Sequence, residues 1–298
     1  MTIPYVALKE AHDDPQLEKL HIVLLMMLKD FSEMCKKHDI AWFLDFGSAL
    51  GALRHEGFIP WDDDIDICLC RSELDKLAEI VKTEYSDKYE FISAQTCPSY
   101  PLATSRLIIK GTEFRDDNLK DMDFNSGIFL DLFPLDYLDE DPKKARKQEF
   151  RAWFYNKLAL VKDVPNPYIA GNNTKAKILK AAVKTARIIL RLPLIRLINW
   201  NNLAFKSAQE HQNQPSSRLA YLFDTHLYSH ILNVSDLFPS RLHSFETIKV
   251  PVMNKVEKIL EQTYGDWQYP PLQDMRREHY PHILNFGNYE PENRPHEH

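Results

Sequence analysis

Residues 43–67 of this 298-residue chain read Phe-Leu-Asp-Phe-Gly-Ser-Ala-Leu-Gly-Ala-Leu-Arg-His-Glu-Gly-Phe-Ile-Pro-Trp-Asp-Asp-Asp-Ile-Asp-Ile. The stretch begins within a short apolar segment that predicts a buried strand over 41–44. Gly47 and Ser48 then turn the chain into a short helical fragment. Acids and isoleucines alternate from Asp64 onward, which is the period of a half-buried strand. The stretch therefore predicts a strand, a turn, a short helix and a second, acidic strand.

The acidic strand carries two carboxylates on one face. Asp64 and Asp66 project together, because successive side chains of a strand point to opposite faces, and Ile65, Ile67 and Leu69 then enter the core. Two like charges on a half-buried strand are costly unless a cation compensates them. Carboxylate oxygens suit Mg²⁺ or Mn²⁺, which leave coordination positions open for phosphate oxygens. The strand predicts such a metal site, and the alternative is a solvated acidic turn.

A second apolar run, over 128–133, contains one acid, Asp131. An isolated carboxylate inside such a run needs a partner, and a cation held by Asp64 and Asp66 would supply it. Gly47 lets the backbone approach closely at a helix start, where free N–H groups can hold a phosphate. Strand, Gly-Ser turn, helix, Asp-x-Asp strand and a later acid-bearing strand form the layout of the nucleotidyltransferase superfamily. The pattern predicts a phosphoryl-transfer site.

An EF-hand calcium loop is a competing explanation for the acids. Loop positions 1, 3, 5 and 12 are occupied by Asp62, Asp64, Asp66 and Glu73. The sixth position needs Gly for its sharp turn, and the chain has Ile67 there. Because the isoleucine alternation also favours a strand, the calcium loop is rejected.

The composition is that of a globular protein: 44% of the residues are hydrophobic and 27% are charged. A net charge of −6 gives no reason to expect nucleic acid as a partner. The start of the chain, residues 1–4, lacks a basic and apolar signal, and no apolar run is long enough to span a bilayer. We therefore expect a cytoplasmic protein.

The four cysteines, Cys35, Cys68, Cys70 and Cys97, show neither CxxC spacing nor a disulfide framework. Cys68 and Cys70 share the carboxylate face of the predicted strand, but no second Cys or His pair at ligand spacing completes a zinc site. We expect free thiols.

The residues around the acidic strand predict a mixed first half. Apolar residues at helical spacing predict a helix over 17–38. Ser72 with Asp75 three residues later resembles a capping box and predicts a helix over 73–82. Further strands are predicted over 89–93, 105–109 and 127–133. The predicted fold class is α/β (α+β), with a nucleotidyltransferase-like mixed sheet flanked by helices.

The second half of the chain changes character near residue 140. Helices are predicted over 142–162, 174–200, 218–227 and 255–264. We expect a catalytic core over 1–140 and a mainly helical region over 141–298, which faces the acceptor or a membrane and packs partly on the core.

The stretch 43–67 strongly resembles the LicD family of phosphocholine transferases, which looks related to the fukutin-type sugar-modifying enzymes. Shorter matches are Gly127-Ile-Phe-Leu-Asp-Leu-Phe-Pro-Leu-Asp136, Tyr264-Gly-Asp-Trp-Gln-Tyr-Pro-Pro271, and Phe245-Glu246 with Val250-Pro251. Departures are Ser48, where the family more often has Thr, and Trp267-Gln268 in the late motif; neither removes an expected ligand. Residues 140–215 are covered least.

The resemblance implies transfer of phosphocholine, or a similar phospho-alcohol, from a CDP-activated donor such as CDP-choline. The acceptor would be a hydroxyl of a cell-surface glycan precursor, lipid-linked or free, of the lipopolysaccharide or teichoic acid type, and CMP would leave. One alternative is a nucleotidyltransferase that forms a nucleotide-activated alcohol and pyrophosphate. Another is a non-catalytic glycan- or nucleotide-binding protein of the same fold. The presence of all three acids argues against it, since a binding protein has no need to retain them.

In such an enzyme Asp64 and Asp66 are expected to hold the metal, with Asp62 orienting a metal-bound water from the outer shell. Asp131 is either a third ligand or the base that takes the acceptor's proton. Arg106 is a weaker phosphate-contact candidate, expected mainly as a solvated charge at a strand end.

The donor's other groups also need partners. Gly47 and Ser48 are expected to position the nucleotide phosphates, and Arg54 and His55 to contact donor or leaving-group phosphate. The alternatives are a salt bridge from Arg54 to the acids and a surface-loop position for His55. Trp61 is the candidate aromatic surface for a quaternary ammonium group, with buried packing as its alternative.

No acid occurs from residue 164 to residue 208. Basic residues recur there at steps of three and four, which aligns them on one helix face: Lys177, Lys180, Lys184, Arg187 and Arg191. Such a basic amphipathic helix is typical of a segment that rests on an anionic membrane leaflet. The sequence predicts peripheral membrane contact through residues 175–200, and the alternative is a helix packed on the domain with a solvated basic face.

Overall fold

The computed structural model of the chain describes residues 14–116, 119–165, 167, 174–272 and 281–291. The start of the chain, on which the predicted location rests in part, lies outside these residues. The described strands are β1 (Phe43–Leu44), β2 (Asp66–Cys70), β3 (Tyr89–Ile92), β4 (Ser105–Ile109), β5 (Glu113–Arg115), β6 (Phe129–Tyr137), β7 (Arg218–Ala220), β8 (Ile231–Asn233), β9 (Arg241–Phe245), β10 (Ile248–Val252) and β11 (Ile283–Asn285). The described α-helices are α1 (Pro15–Lys37), α2 (Phe46–His55), α3 (Arg71–Glu84), α4 (Pro142–Asp163), α5 (Thr174–Leu190), α6 (Trp200–Ala208), α7 (Val234–Leu237) and α8 (Val256–Tyr264).

A mixed sheet lies at the centre of the fold, with strand order β1-β2-β6-β4-β3. β2 and β6 are parallel neighbours, and the other pairs along this order are antiparallel. The acid-bearing strands therefore lie side by side in the middle of the sheet. The predicted α/β class with a mixed sheet is confirmed.

The first helix follows from its sequence. Asp14 caps α1 by accepting from the backbone N–H of Gln16, and Pro15 occupies the first helical position, where its missing N–H costs nothing. A stripe of apolar side chains at helical spacing is buried: Leu17, Leu20, Leu24, Leu28 and Phe31. The predicted helix is confirmed to within two residues at its start.

The second half adds strands as well as helices. The predicted helix over 218–227 is wrong: Arg218–Ala220 is β7, which pairs with the end of β6 and with β8. Three residues suffice for a strand here because β6 offers an unpaired edge to which β7 hydrogen-bonds. The predicted helix over 174–200 ends at Leu190, three residues before Pro193, which cannot continue a helix.

The two halves share one hydrophobic core among the described residues. Phe43 of β1 packs against Phe238 with ring centroids 5.2 Å apart, and Phe58 packs against Phe245 at 4.9 Å. None of the described helices is long and apolar enough to cross a membrane.

Candidate active site

Three carboxylates meet where β2 and β6 lie side by side. Asp66 and Asp131 are partners in the parallel register, and Asp64 precedes β2 by two residues. Ligand oxygens from Asp64, Asp66 and Asp131 all lie within 4.8 Å of one another. The structure thus brings together the three acids that the sequence singled out.

A second set of carboxylate oxygens, from Asp62, Asp63 and Asp64, also lies within 4.8 Å of one another. Burial raises the pKa of the Asp62 carboxyl to about 6, and the nearby Arg54 charge opposes that rise. Burial and the Asp62 charge raise the pKa of Asp63 to about 8. From the sequence, Asp63 is assigned no role at the site.

The central acids repel one another strongly. Burial raises the pKa of Asp64 well above its usual range, and the charge of Asp66 raises it further. Burial does the same to Asp66, with Asp62 and Asp131 adding their charges. A cation among these oxygens would reverse the repulsion, which is the physical case for a metal here.

Gly47 and Ser48 lie in the first turn of α2 and not in a turn before it. The Gly47 N–H donates to Asp66 Oδ2 at 3.2 Å, and the Ser48 hydroxyl accepts from the Asp66 N–H at 2.8 Å. A Cβ at position 47 would lie 2.9 Å from Asp62 Oδ2, so glycine is needed for this close approach. In this structure the pair orients Asp66.

Arg106 is the protein's own counter-charge for Asp131. Its Nε donates to Asp131 Oδ1 at 2.9 Å, and its guanidinium carbon lies 3.5 Å from the centroid of the Phe129 ring. The expectation of a solvated strand-end charge is wrong, since Arg106 is only 5% exposed. Strand pairing decides this, because β4 places Arg106 directly opposite Asp131.

Arg54 and His55 are buried at the end of α2, so the surface-loop alternative for His55 is wrong. Arg54 Nε donates to His55 Nε2 at 2.9 Å, and Arg54 Nη1 donates to the Trp267 carbonyl at 3.1 Å. The rings of His55 and Trp61 meet edge-on at 6.2 Å. The late motif that contains Trp267 is therefore bonded to the end of α2, the helix whose first turn holds the Gly-Ser pair.

The hairpin of β9 and β10 supports the loop that carries the acids. The side chain of Glu246 accepts from the Phe58 N–H at 3.2 Å, and the Glu246 N–H donates to the Glu56 carbonyl at 2.6 Å. A Cβ at Gly57 would meet Glu246 Oε1 at 1.9 Å, so a glycine allows the hairpin to dock. The Phe245-Glu246 motif thus influences the carboxylates indirectly, because it holds the backbone of the loop that carries them.

Sequence reasoning missed Asp45. Its side chain caps α2 by accepting from the Phe46 N–H at 2.8 Å, and its Oδ2 lies 2.8 Å from Nε2 of His230. Burial lowers the pKa of His230, but the Asp45 carboxylate outweighs it and the net shift is upward. The position of Asp45 just before a Gly-Ser helix start is an N-cap signal that could have revealed the first contact.

The donor set fits a hard divalent cation. Oxygen atoms from Asp64, Asp66 and Asp131 are what Mg²⁺ or Mn²⁺ prefers. Among the described residues no Cys or His belongs to either group of close ligand atoms, so neither has the donors that zinc prefers. Asp62 lies against the first group, with an oxygen close to Gly47.

The central mixed sheet and its acid-bearing strands define a nucleotidyltransferase-like domain. Residues 39–161 match the family model described as LicD/FKTN/FKRP, nucleotidyltransferase domain. The chain therefore carries a LicD-family domain and is an enzyme of the transferase class.

Three curated proteins are similar to this chain, and one of them has an assigned activity. The chain is 24% identical over 270 residues to the lipopolysaccharide cholinephosphotransferase LicD of Haemophilus influenzae, covering 88% of this chain and 96% of that protein. It is 44% identical over 50 residues to an uncharacterized protein of Rickettsia typhi, 17% of this chain and 16% of that protein. An uncharacterized protein of Rickettsia prowazekii is 35% identical over 74 residues, 23% of this chain and 28% of that protein. The family resemblance seen in the sequence is confirmed.

Proposed function

We propose that this protein transfers phosphocholine from CDP-choline to a hydroxyl of a cell-surface glycan precursor, with Mg²⁺ or Mn²⁺ as cofactor. The observation that carries the proposal is the meeting of Asp64, Asp66 and Asp131 within 4.8 Å, in a LicD-family domain. The relative named as a lipopolysaccharide cholinephosphotransferase supports a lipopolysaccharide-type acceptor over teichoic acid.

In the proposed reaction the acceptor oxygen attacks the phosphorus that bears choline. The bond from that phosphorus to the bridging oxygen breaks, CMP leaves with the bond's electron pair, and the hydroxyl proton passes to a carboxylate of the cluster. Asp64, Asp66 and Asp131 would hold the metal, which supplies charge neutralisation at the phosphate oxygens when bound. Arg106 keeps Asp131 in place through its 2.9 Å contact.

Incubation of the protein with CDP-choline, Mg²⁺ and a deacylated lipopolysaccharide acceptor tests this function. We expect CMP release that requires the acceptor and a phosphocholine-modified glycan in the mass spectrum. Formation of pyrophosphate from CTP and phosphocholine would support the nucleotidyltransferase alternative. Binding of the acceptor or CDP-choline without any turnover would support the non-catalytic alternative.

Metal binding should depend on pH. Because protons compete for carboxylates whose pKa is about 6 at Asp62 and about 8 at Asp63, Mg²⁺ is expected to raise the melting temperature more at pH 8 than at pH 6. Without metal, a rise in pH is expected to destabilise the protein. The folded chain binds more protons than the unfolded one in this range, so the unfolding free energy falls as pH rises.

The measurement is thermal unfolding with and without Mg²⁺ at both pH values. At 100 times the dissociation constant, the expected shift at pH 8 is roughly 4–5 °C. An equal shift at both pH values, or an unchanged shift in Asp66→Asn, would contradict a carboxylate metal site.

We also propose that α5 and the residues after it rest on an anionic membrane, which gives the region after residue 140 an acceptor-facing role. Only Ala176 and Leu190 of α5 are buried. Large aliphatic side chains are exposed on α5 and just beyond it: Ile178 at 65%, Ile188 at 68%, Leu194 at 83% and Leu197 at 75%. Exposed aliphatic groups among basic residues suit the interface of an anionic bilayer.

Co-sedimentation with phosphatidylglycerol vesicles tests the membrane contact. Replacing Lys177, Lys180 and Lys184 by Gln should weaken binding about 100-fold, since each basic residue contributes about 1 kcal/mol near an anionic surface. The double variant Leu194→Ser, Leu197→Ser should weaken it at least about tenfold. The control is Leu242→Ser, which removes an equally exposed leucine from β9. Unchanged binding in both test variants, or self-association in place of vesicle binding, would reject the proposal.

A further inference from the structure

Three aromatic rings from distant parts of the chain meet beside the carboxylates. The ring of Phe46 lies 4.9 Å from that of Phe133 and 6.4 Å from that of Tyr221, and the rings of Phe133 and Tyr221 are 5.0 Å apart. We call Phe46, Phe133 and Tyr221 the aromatic cluster.

The positions of Phe133 and Phe46 in the chain place the aromatic cluster next to the acids. Phe133 follows Asp131 by two positions on β6, so both side chains leave the same face of the sheet. Phe46 directly precedes Gly47, whose N–H donates to Asp66. Along β6, Phe133 therefore lies on the other side of Asp131 from Phe129.

Part of the aromatic cluster is open to solvent. Phe46 and Phe133 are partly exposed, whereas Tyr221 is buried. A ring that only packs in the core gains most from complete burial, and these two rings are not completely buried.

The backbone of Phe46 gives a second, independent indication. Its φ is +42°, in the left-handed region that favours glycine. A bulky residue is unfavourable there, and such strain concentrates at functional sites. The ring is nevertheless held in place, with His230 packed 4.6 Å from it and Asp45 bonded to His230.

We propose that Phe46 and Phe133, with Tyr221 packed against both rings, bind the quaternary ammonium group of the donor, an assignment that rests on the proposed function. Aromatic faces attract quaternary ammonium ions, and the neighbouring carboxylates add a favourable negative field. A phosphocholine phosphorus at the carboxylates places its choline within reach of the adjacent rings. Trp61, the candidate from the sequence, instead meets His55 edge-on.

The test compares two nucleotides that differ at this group. Dissociation constants for CDP-choline and CDP-glycerol are measured by calorimetry in Mg²⁺ without acceptor, so no turnover is needed. The wild-type protein should bind CDP-choline more tightly. Phe133→Leu and Phe46→Leu should each weaken CDP-choline binding about tenfold and change CDP-glycerol binding less than twofold.

Phe133→Tyr keeps an aromatic face and should retain the preference. Phe150→Leu, which removes an exposed ring of α4, is the matched control and should change neither constant. A choline preference that survives both leucine variants, or an equal loss for both nucleotides, overturns the aromatic assignment and leaves the proposed function standing. Binding of neither nucleotide by the wild-type protein overturns both.

Discussion

Replacing Asp66 by Asn is expected to reduce CMP release from CDP-choline about 10³-fold or more. The substitution keeps the side chain's shape but removes one negative charge from the three-carboxylate site. Charge stabilisation by a bound metal contributes several kcal/mol to a transition state of this kind, and each 1.4 kcal/mol is a factor of ten in rate. Steady-state assays at saturating Mg²⁺ measure the effect.

The same variant should not be less stable without metal. Asp66 raises the pKa of Asp64 by repulsion, so removing its charge relieves an unfavourable interaction in the metal-free fold. We expect a melting temperature equal to or above that of the wild type. Asp87→Asn, at an exposed position, is the control and should leave activity unchanged. Activity within tenfold of wild type in Asp66→Asn would remove the carboxylate from the mechanism.

Asp136→Ala is expected to destabilise the fold by about 3–5 kcal/mol. Asp136 accepts from Arg71 Nε at 2.9 Å and from Nη2 at 2.7 Å, and both residues are at most 5% exposed. The variant leaves a guanidinium buried without its partner, which is the costly way to break an ion pair. Since whole proteins are stable by about 5–15 kcal/mol, the loss should be plain in urea unfolding.

Two further variants separate this cause from general damage. Replacing both partners, as in Arg71→Met with Asp136→Leu, should recover most of the lost stability, because no buried charge remains. Glu257 accepts from Arg241 through two contacts of 2.7 Å, as Asp136 accepts from Arg71, but this pair is exposed. Glu257→Ala should therefore lower the free energy of unfolding by less than about 1 kcal/mol. Equal losses in the buried and exposed single variants would refute the argument.

The spacing of residues predicts the elements whose side-chain directions depend only on the element itself. The alternation from Asp64 predicts β2 from Asp66 onward, and the apolar run at 128–133 predicts β6 and its acid. Helical spacing predicts α1 because its buried stripe repeats along one element. In each case the period of side-chain direction is a property of the strand or helix itself.

Such patterns do not predict contacts between residues that are distant in the sequence. The helix predicted over 218–227 is wrong at β7 because three residues carry little preference of their own, and pairing with β6 decides their state. Arg106 was expected in solvent, but the register of β4 on β6 buries it against Asp131.

The sequence by itself determined the acid-bearing strands, the short helix between β1 and β2 and the resemblance to the LicD family, since each is written in contiguous residues. Only the tertiary structure decided the partners: Arg106 for Asp131, His230 for Asp45 at a separation of 185 residues, and Tyr221 for Phe46. The reason is physical, because burial, charge compensation and ring packing depend on which surfaces the sheet brings together.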